Sequence, residues 1–130
     1  MALLVLDAEV LIAHERGDRT AGAWLARAAT EGVDLAVAAP TIAEAWRDGA
    51  RQARLARLLA SCRILDCDRQ LADRAGELLA RVGSLNTLDA LLVASAQRHV
   101  GVLLTDDVRD VRPLAEAANV KVARLHPTRR

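Results

Sequence analysis

Short runs of uninterrupted apolar residues alternate with longer amphipathic stretches along the whole chain. Leu3–Leu6, Leu35–Ala38, Cys62–Leu65, Val102–Leu104 and Val120–Leu125 read as strands. The first four are largely apolar on both faces, as expected of a sheet covered on both sides. Between them, spacings of three and four predict helices over Glu9–Arg16, Ala21–Thr30, Ile42–Asp48, Gln52–Ala60, Arg69–Val82, Leu88–His99 and Pro113–Asn119. Strands alternating with helices predict an α/β fold with a mostly parallel sheet. The punctuation agrees: Pro40-Thr41 opens one helix, Asp68 is placed to cap another, and Gly83-Ser84 separates two more. With no repeat, low-complexity tract or linker, residues 1–130 are expected to form a single domain, with residues 126–130 as a frayed tail.

Composition narrows the chemistry. Apolar residues make up 52 % of the chain, but Trp24 and Trp46 are its only aromatics, so the core must be aliphatic. Of the 18 basic residues only Lys121 is lysine, and the formal net charge of +1 excludes a strong global attraction to nucleic acid. Any basic surface must therefore be local. Cys62 and Cys67 flank a short strand on opposite sides, and no Cys/His zinc spacing exists. Two reduced thiols, and a first apolar run interrupted by Asp7 without a basic segment before it, point to the cytoplasm. No apolar run reaches the 18 or so residues a membrane span needs.

Among the 17 acids, a few stand in apolar surroundings. Asp7 ends the first strand, where open parallel sheets bind ligands, although it is also placed to cap the following helix. Asp89 is the only ionisable residue between Arg81 and Arg98, in a helix apolar on nearly every face. Buried there, its carboxylate needs a cation, a proton or a hydrogen-bonding partner such as helix amides. Glu44, in Thr41-Ile42-Ala43-Glu44, is open to a second reading as the far end of a capping box. Asp106 and Asp107 follow the fourth strand as adjacent carboxylates, of which at most one should turn inward, and a solvated loop pair is the alternative. Asp110 lies three residues on. Two acids at strand ends and two in early helix turns would gather above one sheet edge, and crowded like charges need neutralisation. Oxygen-only ligands favour Mg²⁺ or Mn²⁺ over zinc, and such a cation beside a phosphate points to phosphodiester hydrolysis.

Four segments resemble the PIN-domain nucleases, in particular the VapC toxins of bacterial toxin–antitoxin pairs. They are Leu6-Asp7-Ala8 with Val10-Leu11-Ile12-Ala13; Ala39-Pro40 with Ala43-Glu44-Ala45-Trp46-Arg47; Leu88-Asp89-Ala90-Leu91 with Ala94; and Leu104-Thr105-Asp106-Asp107 with Asp110. The resemblance implies a three-layer α/β/α fold with a five-stranded sheet ordered 3-2-1-4-5. It also implies cleavage of RNA in tRNA, rRNA or mRNA, leaving 5′-phosphate and 3′-hydroxyl ends, a divalent metal, homodimerisation and inhibition by a small antitoxin. Asp7, Glu44, Asp89 and Asp107 would take the metal-site roles, Thr105 would orient a carboxylate or water, Asp106 takes a variable position and Asp110 a lesser one. Glu9 departs from the family, which often has Ser, Asn or Gly there. Such a carboxylate could join the site, but in a first helical turn its charge is favourable and it is expected instead to face solvent.

Arg47, Arg51, Arg54 and Arg57 recur at helical spacing near Glu44 and are candidates for RNA phosphates, or simply a solvated face. His14, His99 and His126 have no metal spacing and are expected at the surface or at helix ends. A phosphatase of the haloacid dehalogenase type would need Asp where Glu9 stands. The competing functional class is a PIN-like module that binds RNA or protein without catalysis.

Overall fold

A computed structural model describes residues 2–127. Its elements run β1 (Leu3–Leu6), α1 (Ala8–Glu15), α2 (Arg19–Thr30), β2 (Asp34–Ala38), α3 (Ala39–Ala45), a 3-10 turn (Gly49–Arg51), α4 (Ala53–Ser61), β3 (Arg63–Leu65), α5 (Arg69–Val82), α6 (Thr87–Arg98), β4 (Val102–Thr105), α7 (Val108–Ala118) and β5 (Val122–Arg124). The strands form one sheet in the order β3-β2-β1-β4-β5, and all four pairings are parallel. Parallel neighbours require crossovers, so helices cover both faces and bury the sheet between two cores. Val5, Leu103, Leu78, Val93 and Leu114 pack with α5, α6 and α7 on one side. Leu4, Leu6, Val10, Leu25, Leu55 and Leu104 pack with α1, α2 and α4 on the other. All four residues of β1 are buried, as its unbroken apolar run predicts. β3 departs from that expectation. It is an edge strand, and Arg63 and Ile64 are exposed.

Two helices start three or more residues earlier than expected. α3 begins at Ala39 with Pro40 in its first turn, because a fixed φ and a missing N–H are harmless there. It stops at Ala45, and the next residues are held by Gln52, whose amide oxygen accepts from the N–H groups of Arg47 and Asp48 while its nitrogen donates to Ala45 O. α7 begins at Val108, so Pro113 lies inside it rather than at its start. A proline there removes one helical hydrogen bond, and the burial of Val108, Val111, Leu114, Ala115 and Ala118 offsets the loss. α5 starts on Asp68, whose Oδ1 accepts from Leu71 N at 2.9 Å, and ends on Gly83 with φ 76. α4 has no cap of its own, and Glu15, 40 residues earlier, accepts the N–H of Leu55 at 2.8 Å.

The turn from α6 into β4 is tight. A Cβ on Gly101 would stand 2.8 Å from Val5 Cγ2 and 3.3 Å from Leu3 O, both on the central strand. Gly101→Ala should therefore force β4 away from β1 and destabilise the protein by about 1–3 kcal/mol. Urea unfolding with an unchanged midpoint would disprove this.

Cys62 is half-buried and Cys67 exposed, both as free thiols, and burial pushes the Cys62 thiol up to about 11. Among the described residues no single helix is long and apolar enough to cross a membrane. Residues 128–130 of the expected tail lie outside the described residues. His126, within that tail, is held firmly. Its main-chain N–H donates to Asp106 Oδ1 at 2.8 Å, and its ring joins Asp106 Oδ2 to Asp18 Oδ2. This ties the end of β5 to the loop after β4 and to the start of α2. Both carboxylates raise the affinity of the ring for a proton.

Candidate active site

β1 and β4 are the central neighbours of the sheet, and their carboxyl ends lie side by side where successive crossovers leave in opposite directions. Ligands bind at such a switch point in open α/β sheets. Asp7 follows β1, Thr105 ends β4, and Asp107 stands two residues beyond it. α3 follows β2 directly and carries Glu44 against α6, whose first turn carries Asp89.

Asp7 is only 6 % exposed. The capping alternative holds, since Asp7 is the N-cap of α1. Its Oδ1 accepts from Ala8 N at 2.7 Å at the start of α1, and its Oδ2 accepts from the hydroxyl of Thr105 at 2.6 Å. Thr105 is fully buried, and its Oγ also accepts the main-chain N–H of Asp107 at 2.9 Å. One hydroxyl thus fixes the first acid and the backbone of the fourth.

Asp89 is 9 % exposed, and its Oδ2 is a buried oxygen without a hydrogen-bond partner. The alternative in which helix amides satisfy it does not hold for that oxygen. The cap of α6 is Asn86, whose side chain accepts the N–H of Asp89 itself. Burial first, then the charges of Asp107, Asp7, Glu44 and Asp110, push the Asp89 carboxyl up to about 7. The other three principal candidates and Asp110 are thus near enough to act on this one group. The Asp107 carboxyl is also raised, by burial and then by Asp110 and Asp7, while a hydrogen bond with Asp89 works the other way. Glu44 is half-buried and raised by burial and by Asp7. The capping-box reading of Glu44 fails because α3 starts at Ala39, which leaves buried Thr41 inside the helix rather than at its cap.

Glu9 is exposed, as expected, but it does not face solvent alone: its Oε1 lies 3.1 Å from the Thr105 hydroxyl. Burial, a hydrogen bond to Asp7 and the Asp7 charge raise its carboxyl to about 7. Thr105 has one proton to donate, and the shorter bond assigns it to Asp7. The raised affinity of Glu9 for a proton is what lets it lie beside them. The signal was its place two residues after Asp7, on the turn that leaves β1. Asp106 turns away to His126, so of the adjacent pair only Asp107 faces the acid cluster. Asp110 is exposed, one helical turn from Asp107.

The candidate arginines divide. The guanidinium of Arg47, just past α3, donates to Ala43 O and Trp46 O at the end of that helix, and Arg51 pairs with Asp48 at 3.7 Å. Arg54 and Arg57 have no ion pair among the described residues.

The donor set is suited to a hard cation. It consists of carboxylate oxygens, includes an unpartnered buried one at its centre, and contains no sulfur or imidazole. Among the described residues no three acidic, histidine or cysteine side chains are arranged so that they could hold a metal ion together.

Comparison with known proteins agrees with this layout. The family model for the PIN domain matches residues 4–118. No curated protein sequence matches at a significant level. Among solved structures, VapBC2 from Rickettsia felis bound to a promoter DNA fragment superposes with a TM-score of 0.74 at 18 % identity, covering 94 % of this chain and 98 % of that one. A toxin–antitoxin complex from Klebsiella pneumoniae gives a TM-score of 0.74 at 22 % identity, over 98 % and 100 %. DNA-bound VapBC from Salmonella typhimurium gives 0.74 at 17 % identity, over 97 % and 100 %. At such identities the superpositions establish the shared fold. With the family model spanning β1 through α7, the chain belongs to the PIN-domain family.

Proposed function

We propose that this PIN-domain protein is a metal-dependent endoribonuclease and the toxin of a toxin–antitoxin pair. The observation that carries the catalytic half is the buried, unpartnered Oδ2 of Asp89, surrounded by Asp7, Glu44 and Asp107. A carboxylate so placed destabilises the fold unless a cation or a proton compensates it. The toxin half is supported by the VapBC and toxin–antitoxin structures that share the fold along nearly their whole length. A small inhibitory antitoxin, a homodimeric state and a cytoplasmic site of action belong to the same reading.

Asp7, Asp89 and Asp107 would hold Mg²⁺ or Mn²⁺, and Glu44 would complete the set or position the attacking water. When bound, such a cation supplies Lewis acidity, offsetting charge at the phosphate and easing deprotonation of that water. Thr105 keeps one oxygen of Asp7 aimed, and Asp110 raises the negative charge around Asp107. Glu9, its carboxyl raised to about 7, is partly protonated near neutral pH and so brings the site less than a full further negative charge.

The direct test is cleavage of a panel of structured RNAs by the purified protein with Mn²⁺ and with EDTA. Cleavage confined to the Mn²⁺ arm is expected, and RNA binding without cleavage in either arm would establish the non-catalytic module instead. Thr105→Val probes the orienting hydroxyl. Loss of an outer partner of a metal ligand weakens metal affinity about 10–100-fold. The variant should thus need that much more Mn²⁺ for half-maximal cleavage, and an unchanged Mn²⁺ requirement would remove Thr105 from the site.

A further inference from the structure

The surface beside the acid cluster supports an inference that rests on the nuclease reading and extends it to substrate binding. The end of α1, the start of α2 and the start of α4 enclose an open pocket of about 430 Å³ lined by His14, Asp18, Arg19, Arg54 and Arg57, with Gly17 and Gly22 in its wall. Asp18 is its acidic member, and one of its oxygens is shared at 2.9 Å between Ala21 N and the His126 ring. Glu15 is turned into the protein to cap α4. Arg19, Arg54 and Arg57 form no ion pair among the described residues. Burial and the charges of Arg54 and Arg57 hold the His14 imidazole below its ordinary pKa.

The pocket is built rather than incidental. Gly17 has φ +79, and the Arg54 guanidinium lies where its Cβ would stand, 2.5 Å from Nη1. A side chain at position 17 would displace that arginine. The glycine therefore serves both the turn and the arginine.

Its location follows from topology. α2 and α4 precede the parallel strands β2 and β3, and the close approach of Asp18 to His126, just past β5, places the start of α2 at the edge where the strands end. α1 spans the short gap, since Asp7 and His14 are seven residues apart, or about 10 Å along a helix.

We propose that this pocket is a phosphate subsite that seats a backbone phosphate of the RNA strand being cut over Asp7, Asp89 and Asp107. An acid cluster repels phosphodiesters, and a net charge of +1 provides no general attraction. Cations on the same rim would offset that repulsion whether or not a metal is bound. Forked guanidinium groups match phosphate oxygens in geometry as well as charge. The spacing to Asp7 suits a neighbouring phosphate of the same strand rather than the scissile one.

The test measures binding of a fluorescent oligouridylate to the full-length protein in EDTA, as a function of salt, by anisotropy. Each arginine–phosphate interaction removed should reduce the slope of log affinity against log salt by about 0.7. The Arg54→Gln/Arg57→Gln double variant should therefore lower the slope by about 1.4 and bind about tenfold or more weakly, whereas Arg81→Gln at the far end of α5 should match the unsubstituted protein. Gly22→Glu provides a second route that leaves the arginines in place. No atom lies within 4 Å of a Cβ there, and glutamate suits a helix better than glycine. Gly22→Glu should weaken binding, and Gly22→Gln should not.

Unchanged affinity and slope in both the double variant and Gly22→Glu would overturn the proposal. So would displacement of the oligouridylate by a polyglutamate peptide that binds more tightly through the same arginines, since the pocket would then serve an acidic protein segment. Cleavage with Mn²⁺ is scored separately. Arginine-dependent binding without cleavage would sink the nuclease reading and uphold the subsite, and cleavage with arginine-independent binding would do the reverse.

Discussion

Asp89→Asn is expected to lower Mn²⁺-dependent RNA cleavage by at least about a hundredfold while making the metal-free protein more stable. The activity loss follows from position. Asp89 carries the unpartnered oxygen at the centre of the acid cluster, and removing even an outer partner of a metal ligand costs up to about a hundredfold. The stability gain follows from electrostatics. Near neutral pH the Asp89 carboxylate stands against Asp107, Asp7 and Glu44, and asparagine has the same shape without the charge. Solvent at the open side of the cluster screens part of the repulsion, leaving about 1–2 kcal/mol. In a chain of this size that raises the melting midpoint by roughly 3–8 °C. The paired outcome separates a functional acid from a structural one, because a carboxylate that held the fold together would lose stability along with activity. Asp7→Asn should abolish cleavage to a similar extent but without the stability gain, since both oxygens of Asp7 already accept hydrogen bonds. Full activity in either variant, with circular dichroism confirming the fold, would remove that residue from the catalytic role.

The second large effect is the response of stability to pH and metal. Asp89 and Glu9 are raised to about 7 in the folded protein, from ordinary values near 3.8 and 4.5. Between roughly pH 4 and pH 7 the folded state therefore holds protons that the unfolded chain has released, and stability falls as pH rises through that window. Glu44 and Asp107, also raised, act in the same direction. His126 adds to the decline above pH 6.5, since its raised affinity stabilises the fold only while the ring is protonated. His14, lowered, works against the trend below that pH. In EDTA the melting midpoint should thus be higher at pH 5.5 than at pH 8, and Asp89→Asn should flatten the difference. Mn²⁺ should reverse the picture at pH 8, because a cation that binds only the folded form stabilises it by about 2.7 kcal/mol at a hundredfold excess over its dissociation constant. A midpoint indifferent to both Mn²⁺ and EDTA would show that the carboxylates do not form a cation site.

How much of this could be read from the chain depends on the range of the cause. The strand and helix pattern is a local consequence of periodic burial, so every expected element appears, most within two residues of its predicted ends. The misplaced starts lie near Pro40, which sits in the first turn of α3, and at Pro113, where a local stop signal yields to tertiary burial of neighbours such as Val111. β3 was misjudged for a related reason. An apolar run does not reveal that its strand will be last in the sheet, with Ile64 left exposed. Of the acids, Asp89 was legible because a lone carboxylate in an apolar helix must be compensated, whatever lies opposite.

The chain by itself determined that five short apolar strands would be separated by amphipathic helices, that Asp7 and Asp107 would follow strands and that Asp89 would lie in an early helix turn, whereas the start of α3 at Ala39 put Glu44 in the last turn of its helix rather than an early one. Burial preference and periodicity are properties of neighbouring residues and need no fold to be expressed. Tertiary structure alone decided which acids meet. It turned Glu9 toward Thr105, diverted Asp106 to His126 and Glu15 to the start of α4, and gathered Arg54, Arg57 and His14 around Gly17. Those outcomes depend on distances between residues tens of positions apart, and such distances exist only once the sheet order β3-β2-β1-β4-β5 has been formed.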